Sequence, residues 1–298
     1  MVKKTEQEFI DPDDVLTGVD EAERAIQINN FVVTARELYR QDGIDAFQDH
    51  EIAKWLLGKG GHRGKGLEAL SETLSWRQSY KVDQILTEDF TVFEKSGKLQ
   101  WYGVAVDGSV VACWNGSRHV APKTQQERDL EMRYIVYFIE KGRKDGILKD
   151  KLTIVFDRNG MKTDKSDGQL ASYIIPVLQK HYPERLSKMY LFPTNTIFWM
   201  AWNMSSYFLD PVTIPKINLK DSPVSLVEWI KRENYFKKYG GLAIDPFDTV
   251  QSDIKSTDNN NPTVIKSAQA MDLVSKPSEL RLIEVEEVWS APIEYQDC

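Results

Sequence analysis

Residues 181–219 read HYPERLSKMYLFPTNTIFWMAWNMSSYFLDPVTIPKINL, and this stretch decides the fold class. It contains two short apolar segments, KMYLFP at 188–193 and TIPKINL at 213–219, which are typical of buried strands. Residues 195–209, between them, are apolar and predict a helix packed in the interior. The stretch therefore predicts strand, helix and strand in succession, the order expected of an α/β protein.

Helices and strands continue to alternate outward from this stretch. The sequence predicts strands at 99–106, 110–114 and 151–157 and helices at 127–142, 169–181 and 225–239. KLTIVFD at 151–157 is almost continuously apolar, as in a strand covered on both faces. VDGS at 106–109 is typical of a hairpin turn. We therefore expect an α/β layer with a mostly parallel sheet covered by helices.

The amino-terminal part has a different pattern. Apolar residues at helical spacing predict three helices, at residues 20–41, 51–57 and 67–80. We expect an extension at 1–19, a three-helix unit at 20–90, an α/β domain at 95–244 and a partly flexible tail at 245–298. The tail is expected because the sequence turns polar after Asp245.

Composition excludes several classes of function. The chain has 298 residues, 41% of them hydrophobic, and a net charge of -7, which argues against a general nucleic-acid binder. Cys113 and Cys298 offer no disulfide framework, so a reducing cytosol is expected. No apolar run has the pattern of a signal peptide or the length of a membrane span. We expect a soluble, cytoplasmic protein whose membrane contact is peripheral.

Motifs for catalysis are weak. GKGGHRGKG at 58–66 resembles a phosphate loop, but the residues before it predict a helix where a nucleotide loop follows a strand. A flexible basic connection, or an anion contact through Lys59 or Arg63, remains open. The four histidines share no metal-ligand spacing. Asp157 follows a strand in DRNG, where capping a turn is more common than catalysis. We therefore expect neither an enzyme nor a metal site.

Several motifs at matching spacing point to a known family. They are YPER at 182–185, FLDPVT at 208–213, LxWRxxY at 74–80, VDGSVV at 106–111 and KKYGG at 237–241. Over about residues 20–244 the chain resembles the CRAL-TRIO, or Sec14-like, lipid-binding family. The resemblance implies an N-terminal three-helix unit followed by a lipid-binding α/β domain with a mobile gate helix.

The resemblance also implies a headgroup site for phosphatidylinositol. The matching residues are Lys59, Glu184, Thr213 and Lys216. An ammonium and a hydroxyl suit a phosphodiester, and a carboxylate accepts hydrogen bonds from inositol hydroxyls. This role would account for a threonine and a lysine inside an otherwise apolar strand-like segment.

The resemblance further implies a cavity for the acyl chains and a gate over it. The expected cavity residues are Leu152, Ile154, Phe198, Trp199, Trp202, Phe208, Ile214 and Ile217. The helix at 225–239 would be the gate, with Leu226, Trp229 and Ile230 on its apolar side. Members that exchange phosphatidylcholine carry hydroxyls at the positions of Ala112, Leu152 and Ile154. These three are apolar here, so we expect a different second lipid or none.

The resemblance implies a non-enzymatic carrier that binds phosphatidylinositol and exchanges or presents it at membranes. No cofactor is expected besides the bound phospholipid, and no nucleic acid; a protein partner is unknown. Two alternatives stay open. The same fold could hold another hydrophobic ligand, such as a sterol, a tocopherol-like molecule or a porphyrin. The chain could also be a regulatory module that binds a partner through its tail.

Overall fold

The computed structural model describes residues 13–161, 165–194, 198–199, 202, 206, 209–245 and 247. Within it the chain divides into two compact units. One comprises the residues up to Ser79 together with Val177–Glu184, and the other comprises Tyr80–Pro176 and the residues from Arg185 onward.

The first unit is built on three helices, α1 (Glu21–Leu38), α2 (Asp49–Gly58) and α3 (Arg63–Ser79). The carboxylate of Asp20 caps α1 by accepting a hydrogen bond of 2.9 Å from the backbone N–H of Glu23. Apolar residues of all three helices form one core, centred on Phe31, Ile52, Leu56, Leu70 and Leu74. The three predicted helices are confirmed.

The second unit contains a five-stranded sheet in the order β1-β2-β3-β4-β5. The strands are β1 (Leu99–Val104), β2 (Val110–Asn115), β3 (Leu152–Asp157), β4 (Leu186–Phe192) and β5 (Ile217–Leu219). β1 and β2 form the predicted antiparallel hairpin, and the other neighbours are parallel. The helices are α4 (Thr91–Ser96), α5 (Gln125–Lys144) and α6 (Lys165–His181), the last of which ends in the first unit. The predicted α/β class with a mostly parallel sheet is confirmed.

One face of this sheet is fully packed. Val111, Cys113, Val155, Tyr190 and Phe192 point to it and are buried with residues that follow β5, namely Leu226, Ile230, Tyr235, Phe236 and Tyr239. We call this the packed face. It forms the core of the second unit.

The prediction of one amphipathic helix at 225–239 is wrong. The segment instead forms three short 3-10 helices, Pro223–Glu228, Arg232–Asn234 and Lys237–Tyr239. Leu226 and Ile230 are completely buried in the core of the packed face, while Trp229 is 38% exposed. A gate must leave its seat when it opens. This structure shows Leu226 and Ile230 seated in the core, and their role as gate residues stays a prediction.

The strand predicted at 213–219 is shorter than expected. Ile214–Lys216 is a 3-10 turn, and only Ile217–Leu219 pairs with β4. Pro215 explains the difference, since it cannot donate a hydrogen bond to a neighbouring strand. Most of the helix predicted at 195–209 lies outside the described residues; Phe198, Trp199 and Trp202 are helical.

Candidate functional site

The sheet face opposite the packed face carries two rows of apolar side chains. Strand register places Ala112, Ile154, Met189 and Ile217 side by side across β2, β3, β4 and β5. The next row is Trp114, Phe156, Leu191 and Leu219, in which the rings of Trp114 and Phe156 stack 5.4 Å apart. We call this the open face, because six of the eight side chains are only half-buried, all but Ala112 and Leu191.

The edge of the open face at β1 is closed by α5. The ring of Trp101 on β1 stacks on that of Phe138 at a distance of 4.3 Å. Gly142 allows α5 to lie close to β1, because a Cβ at this position would lie 2.3 Å from the indole of Trp101. The side chains of both rows contain no hydroxyl or charged group, and the ammonium of Lys98 lies 5.5 Å from the ring centre of Trp114.

Three predicted cavity residues, Leu152, Ile154 and Ile217, lie on the open face and are half-buried. Phe198 is buried, with the guanidinium of Arg158 4.6 Å from its ring centre, and its ring lies 6.0 Å from that of Trp202. Phe208 lies outside the described residues. Sequence reasoning missed Phe156, Met189, Leu191 and Leu219, since only strand register shows which residues share a row.

Two predicted cavity residues are largely exposed, Trp199 at 46% and Ile214 at 43%. Ile214 lies beside Val212, which is 63% exposed, on the turn that precedes β5. The place of Trp199 and Ile214 in a cavity therefore stays a prediction. The turn presents apolar side chains to its surroundings.

Thr213 and Lys216 are brought together by this turn. The backbone N–H of Lys216 donates a 3.0 Å hydrogen bond to the carbonyl of Thr213, and the N–H of Thr213 donates one of 2.8 Å to Asp210. The hydroxyl of Thr213 does not cap the turn. Since Lys216 directly precedes β5, the pair lies at the edge where the parallel strands begin.

Lys59 and Glu184 belong to the other unit. Lys59 is the exposed C-cap of α2. A Cβ on its neighbour Gly58 would lie 3.9 Å from the Cγ of Glu184, so the structure brings the two predicted residues to the same end of α2. Glu184 has a φ of 53°. This left-handed conformation is uncommon for a residue other than glycine and often marks functional sites.

Asp157 lies in a polar pocket of about 460 Å³ at the carboxyl ends of β2 and β3. One of its oxygens accepts hydrogen bonds from the backbone and side chain of Asn159, each 2.9 Å long, and the other accepts one from the hydroxyl of Tyr239. Burial raises the pKa of this carboxyl, against the opposing effect of the Asn159 bonds. Asp157 therefore caps its turn, as the sequence predicts.

The buried thiol of Cys113 is not primed for nucleophilic chemistry, because burial raises its pKa to about 12. No cluster of three His, Cys, Asp or Glu side chains suited to a metal ion occurs within the described part of the chain. None of the described helices combines the length and apolar character needed to cross a bilayer. What remains is a broad apolar surface with a small polar pair at its edge.

Residues 94–241 match the family model described as "CRAL/TRIO domain". The chain belongs to the Sec14-like CRAL/TRIO family. The match begins just before β1 and ends after the segment that covers the packed face, so it includes the whole sheet. The predicted resemblance is confirmed.

Similar curated proteins bear out this membership. The phosphatidylinositol transfer protein CSR1 of Eremothecium gossypii is 32% identical over 126 residues, 41% of this chain and 28% of that protein. The phosphatidylinositol/phosphatidylcholine transfer protein SFH4 of Arabidopsis thaliana is 28% identical over 191 residues, covering 57% and 31%. SEC14 cytosolic factor of Kluyveromyces lactis is 32% identical over 187 residues, covering 56% and 62%. The chain thus covers less than two thirds of each of these relatives.

The crystal structure of Sfh5 has the same fold. It superposes with a TM-score of 0.61 over 85% of this chain and 99% of its own, at 18% sequence identity. The likeness therefore extends beyond the sheet, although at this identity it concerns the fold alone.

Proposed function

We propose that this protein binds phosphatidylinositol in a cavity floored by the open face and exchanges or presents it at membranes. The open face carries the proposal, because its two apolar rows are the part of the sheet that the described residues leave half-buried. A two-chain lipid has about 30 methylenes, each costing about 0.8 kcal/mol when exposed to water. A carrier must therefore offer an apolar surface of this kind.

The proposed headgroup residues are Lys59, Glu184, Thr213 and Lys216. The ammonium of Lys216 and the hydroxyl of Thr213 suit the phosphodiester, and the carboxylate of Glu184 suits inositol hydroxyls. Support comes from the shared turn of Thr213 and Lys216 and from the left-handed backbone of Glu184. The names of the relatives, which describe phosphatidylinositol transfer, agree with it.

We also propose where this protein acts and that it carries lipid without catalysing a reaction. Relatives named as transfer proteins favour a carrier over an enzyme, and one is named a cytosolic factor. We propose a cytoplasmic protein that touches membranes transiently. The exposed Val212 and Ile214, next to the cationic Lys216, suit a turn that contacts a bilayer during exchange.

Transfer between vesicles tests the proposal. The wild-type chain should move radiolabelled phosphatidylinositol from donor to acceptor vesicles. Lys216→Ala combined with Glu184→Ala should lower the transfer rate at least tenfold, because each change removes a charge-assisted hydrogen bond worth about 1.5–3 kcal/mol.

Lys220→Ala is the matched control, since Lys220 directly follows β5 whereas Lys216 directly precedes it. It should transfer phosphatidylinositol at the wild-type rate. An unchanged rate in the Lys216 and Glu184 double variant would remove the headgroup assignment. Absence of transfer by the wild-type chain would remove the function itself.

A different hydrophobic ligand is the second candidate. Ala112 and Ile154 give the open face no hydroxyl for a choline headgroup, and the rows accept any apolar molecule of suitable size. Mass spectrometry of the co-purified ligand separates a phospholipid from a sterol or tocopherol, and an absorbance spectrum reveals a porphyrin.

A further inference from the structure

The glycine-rich loop between α2 and α3 has a neighbour that the proposed function does not explain. Gly60 and Gly61 have φ values of 63° and 93°, which only glycine adopts freely. Both glycines cap α2, since the N–H of Gly60 donates a 3.0 Å hydrogen bond to the carbonyl of Leu57 and the N–H of Gly61 donates one of 3.0 Å to that of Leu56. Lys59, a proposed headgroup residue, stands directly before them as the C-cap of α2, and the chain that follows it is held by a second set of contacts.

The segment Asp13–Leu16, which we call the clasp, holds the loop by its backbone. The N–H of Val15 donates a 3.1 Å hydrogen bond to the carbonyl of Gly61, and the N–H of Arg63 donates one of 2.9 Å to the carbonyl of Asp13. Asp14 and His62 also form an antiparallel bridge. The clasp therefore adds a short second strand to a loop that has no other partner of this kind within the described residues.

Side chains complete the attachment. The carboxylate of Asp13 accepts the backbone N–H of Gly64 at 2.9 Å, in the first turn of α3. The carboxylate of Asp14 folds back on the clasp itself, accepting the N–H groups of Leu16 and Thr17 at 3.0 and 3.1 Å. Leu16 is buried in the core of the first unit. A Cβ on Gly61 would lie 2.8 Å from that of Leu16, so the loop and clasp are in close contact.

These contacts also reduce the number of groups in the loop that could bind an anion. The N–H of Gly64 already donates its hydrogen bond to the carboxylate of Asp13. The guanidinium of Arg63 donates a 2.7 Å hydrogen bond to the hydroxyl of Thr34 on α1. Of the two anion contacts that the sequence leaves open, the one through Arg63 is thus directed elsewhere. Lys59 remains, and its carbonyl accepts a 3.2 Å hydrogen bond from the N–H of His62, the residue that bridges to the clasp.

We infer that the clasp is a positioning device for the phosphoinositol headgroup: Asp13 fixes the loop that sets Lys59 beside Glu184. The inference rests on the proposed function and names a part of the chain that regulates it. Loss of the clasp should loosen residues 60–64, which follow Lys59, while leaving the open face untouched. The inositol headgroup should then lose part of its contribution to affinity, and the acyl chains should keep theirs.

The experiment compares two lipids in the full-length chain. Affinity is measured for phosphatidylinositol and for diacylglycerol with the same acyl chains, which lacks the phosphoinositol. Asp13→Ala should reduce the preference for phosphatidylinositol about three- to tenfold, which is part of the contribution of one charge-assisted hydrogen bond from Lys59. Asp13→Asn should keep the preference, since an asparagine oxygen caps almost as well.

Asp20→Ala is the matched control. Asp20 also caps a helix of the first unit with its carboxylate, but it caps α1 and not the loop. It should lower stability about as much as Asp13→Ala while leaving the lipid preference unchanged. Hydrogen exchange adds a readout that needs no ligand, because Asp13→Ala should speed exchange at the amides of residues 60–64 and Asp20→Ala should not.

The outcomes separate the inference from the proposed function. If the wild-type chain binds both lipids equally, the proposed function fails and the inference falls with it. If the wild-type chain prefers phosphatidylinositol and Asp13→Ala keeps that preference, only the inference is overturned. Equal loss of preference in Asp13→Ala and Asp20→Ala would also overturn it, because the effect would then be one of general stability.

Discussion

The imidazole of His181 is enclosed by neighbours of the first unit. Its ring stacks on the indole of Trp76 at 4.1 Å, and its Nδ1 lies 3.1 Å from the hydroxyl of Thr73. Thr73 in turn accepts a hydrogen bond from the indole N–H of Trp55 and donates one to the carbonyl of Ala69. The ring of His181 is thus packed against an indole and beside a hydroxyl that is itself hydrogen-bonded.

Burial lowers the pKa of His181 from its ordinary value of 6.5 to about 3. Between these two values the unfolded chain binds one more proton than the folded chain. Protonation of His181 therefore does not affect stability above pH 6.5, and the free energy of unfolding falls as the pH drops from 6.5 toward 3. One proton corresponds to about 1.4 kcal/mol of unfolding free energy for each pH unit.

His181→Asn should remove most of this dependence, because the asparagine amide keeps a polar group near Thr73 but does not titrate. Urea unfolding at pH 7, 6, 5 and 4 measures it. The slope of unfolding free energy against pH should fall by about 1 kcal/mol per pH unit in the variant. His50→Asn, at an exposed position of α2, is the control. Equal slopes in wild-type and His181→Asn proteins would contradict the assignment.

At the scale of elements, the segment after β5 departs most from its sequence pattern. Apolar residues at Leu226 and Ile230, four apart, predict a helical face. The backbone N–H groups of Trp229 and Ile230 do turn back to the carbonyl of Leu226, each at 2.9 Å. At the end of this turn the N–H of Val106 donates a hydrogen bond to the carbonyl of Trp229. Ala105 and Ile230 form an antiparallel β-bridge. This pairing beside β1 ends the helical turn. The spacing of apolar residues along the segment does not predict such pairing.

Elements that depend on local pattern were predictable. The three helices of the first unit, the hairpin at Gly108 and the apolar strand β3 follow from periodicity and turn residues. The two rows of the open face were only partly predictable. Ile154 and Ile217 could be named from the resemblance, whereas Met189 between them requires the register of β4. The clasp was not predictable, because Asp13 and Gly64 are 51 residues apart.

Leu226→Ala tests whether the segment after β5 is core or gate. Because Leu226 is completely buried against the packed face, the change should lower the free energy of unfolding by about 2–5 kcal/mol. Leu242→Ala, at a position 56% exposed in the same segment, should change it by less than about 0.5 kcal/mol. Denaturant unfolding measures both. Equal, small effects would favour the gate interpretation.

The sheet of the second unit is packed on one face and carries half-buried apolar side chains on the other. A ligand that binds only the folded chain adds its binding free energy to stability, about 2.7 kcal/mol at a hundred times its dissociation constant. The open face of the empty protein lacks this contribution. Lipid content should therefore set the measured stability of the protein.

Loading the delipidated protein with phosphatidylinositol should raise its melting temperature by several degrees, about 2–4 °C for each kcal/mol in a chain of this size. Scanning calorimetry of both forms measures the shift. Lys216→Ala should show a smaller shift than the wild-type chain, and Lys220→Ala should show the same shift. No shift on loading would mean that the lipid does not occupy the folded protein.

The two faces of the sheet also differ in their freedom to evolve. Substitutions on the packed face alter a filled interior and would be removed by selection for folding. Half-buried positions of the open face, such as Ile154, Met189 and Ile217, tolerate changes of size at lower cost. On the proposed function, ligand preference can therefore change through substitutions on this face while the fold persists. Combinatorial libraries at these three positions are the natural route to carriers for new hydrophobic molecules.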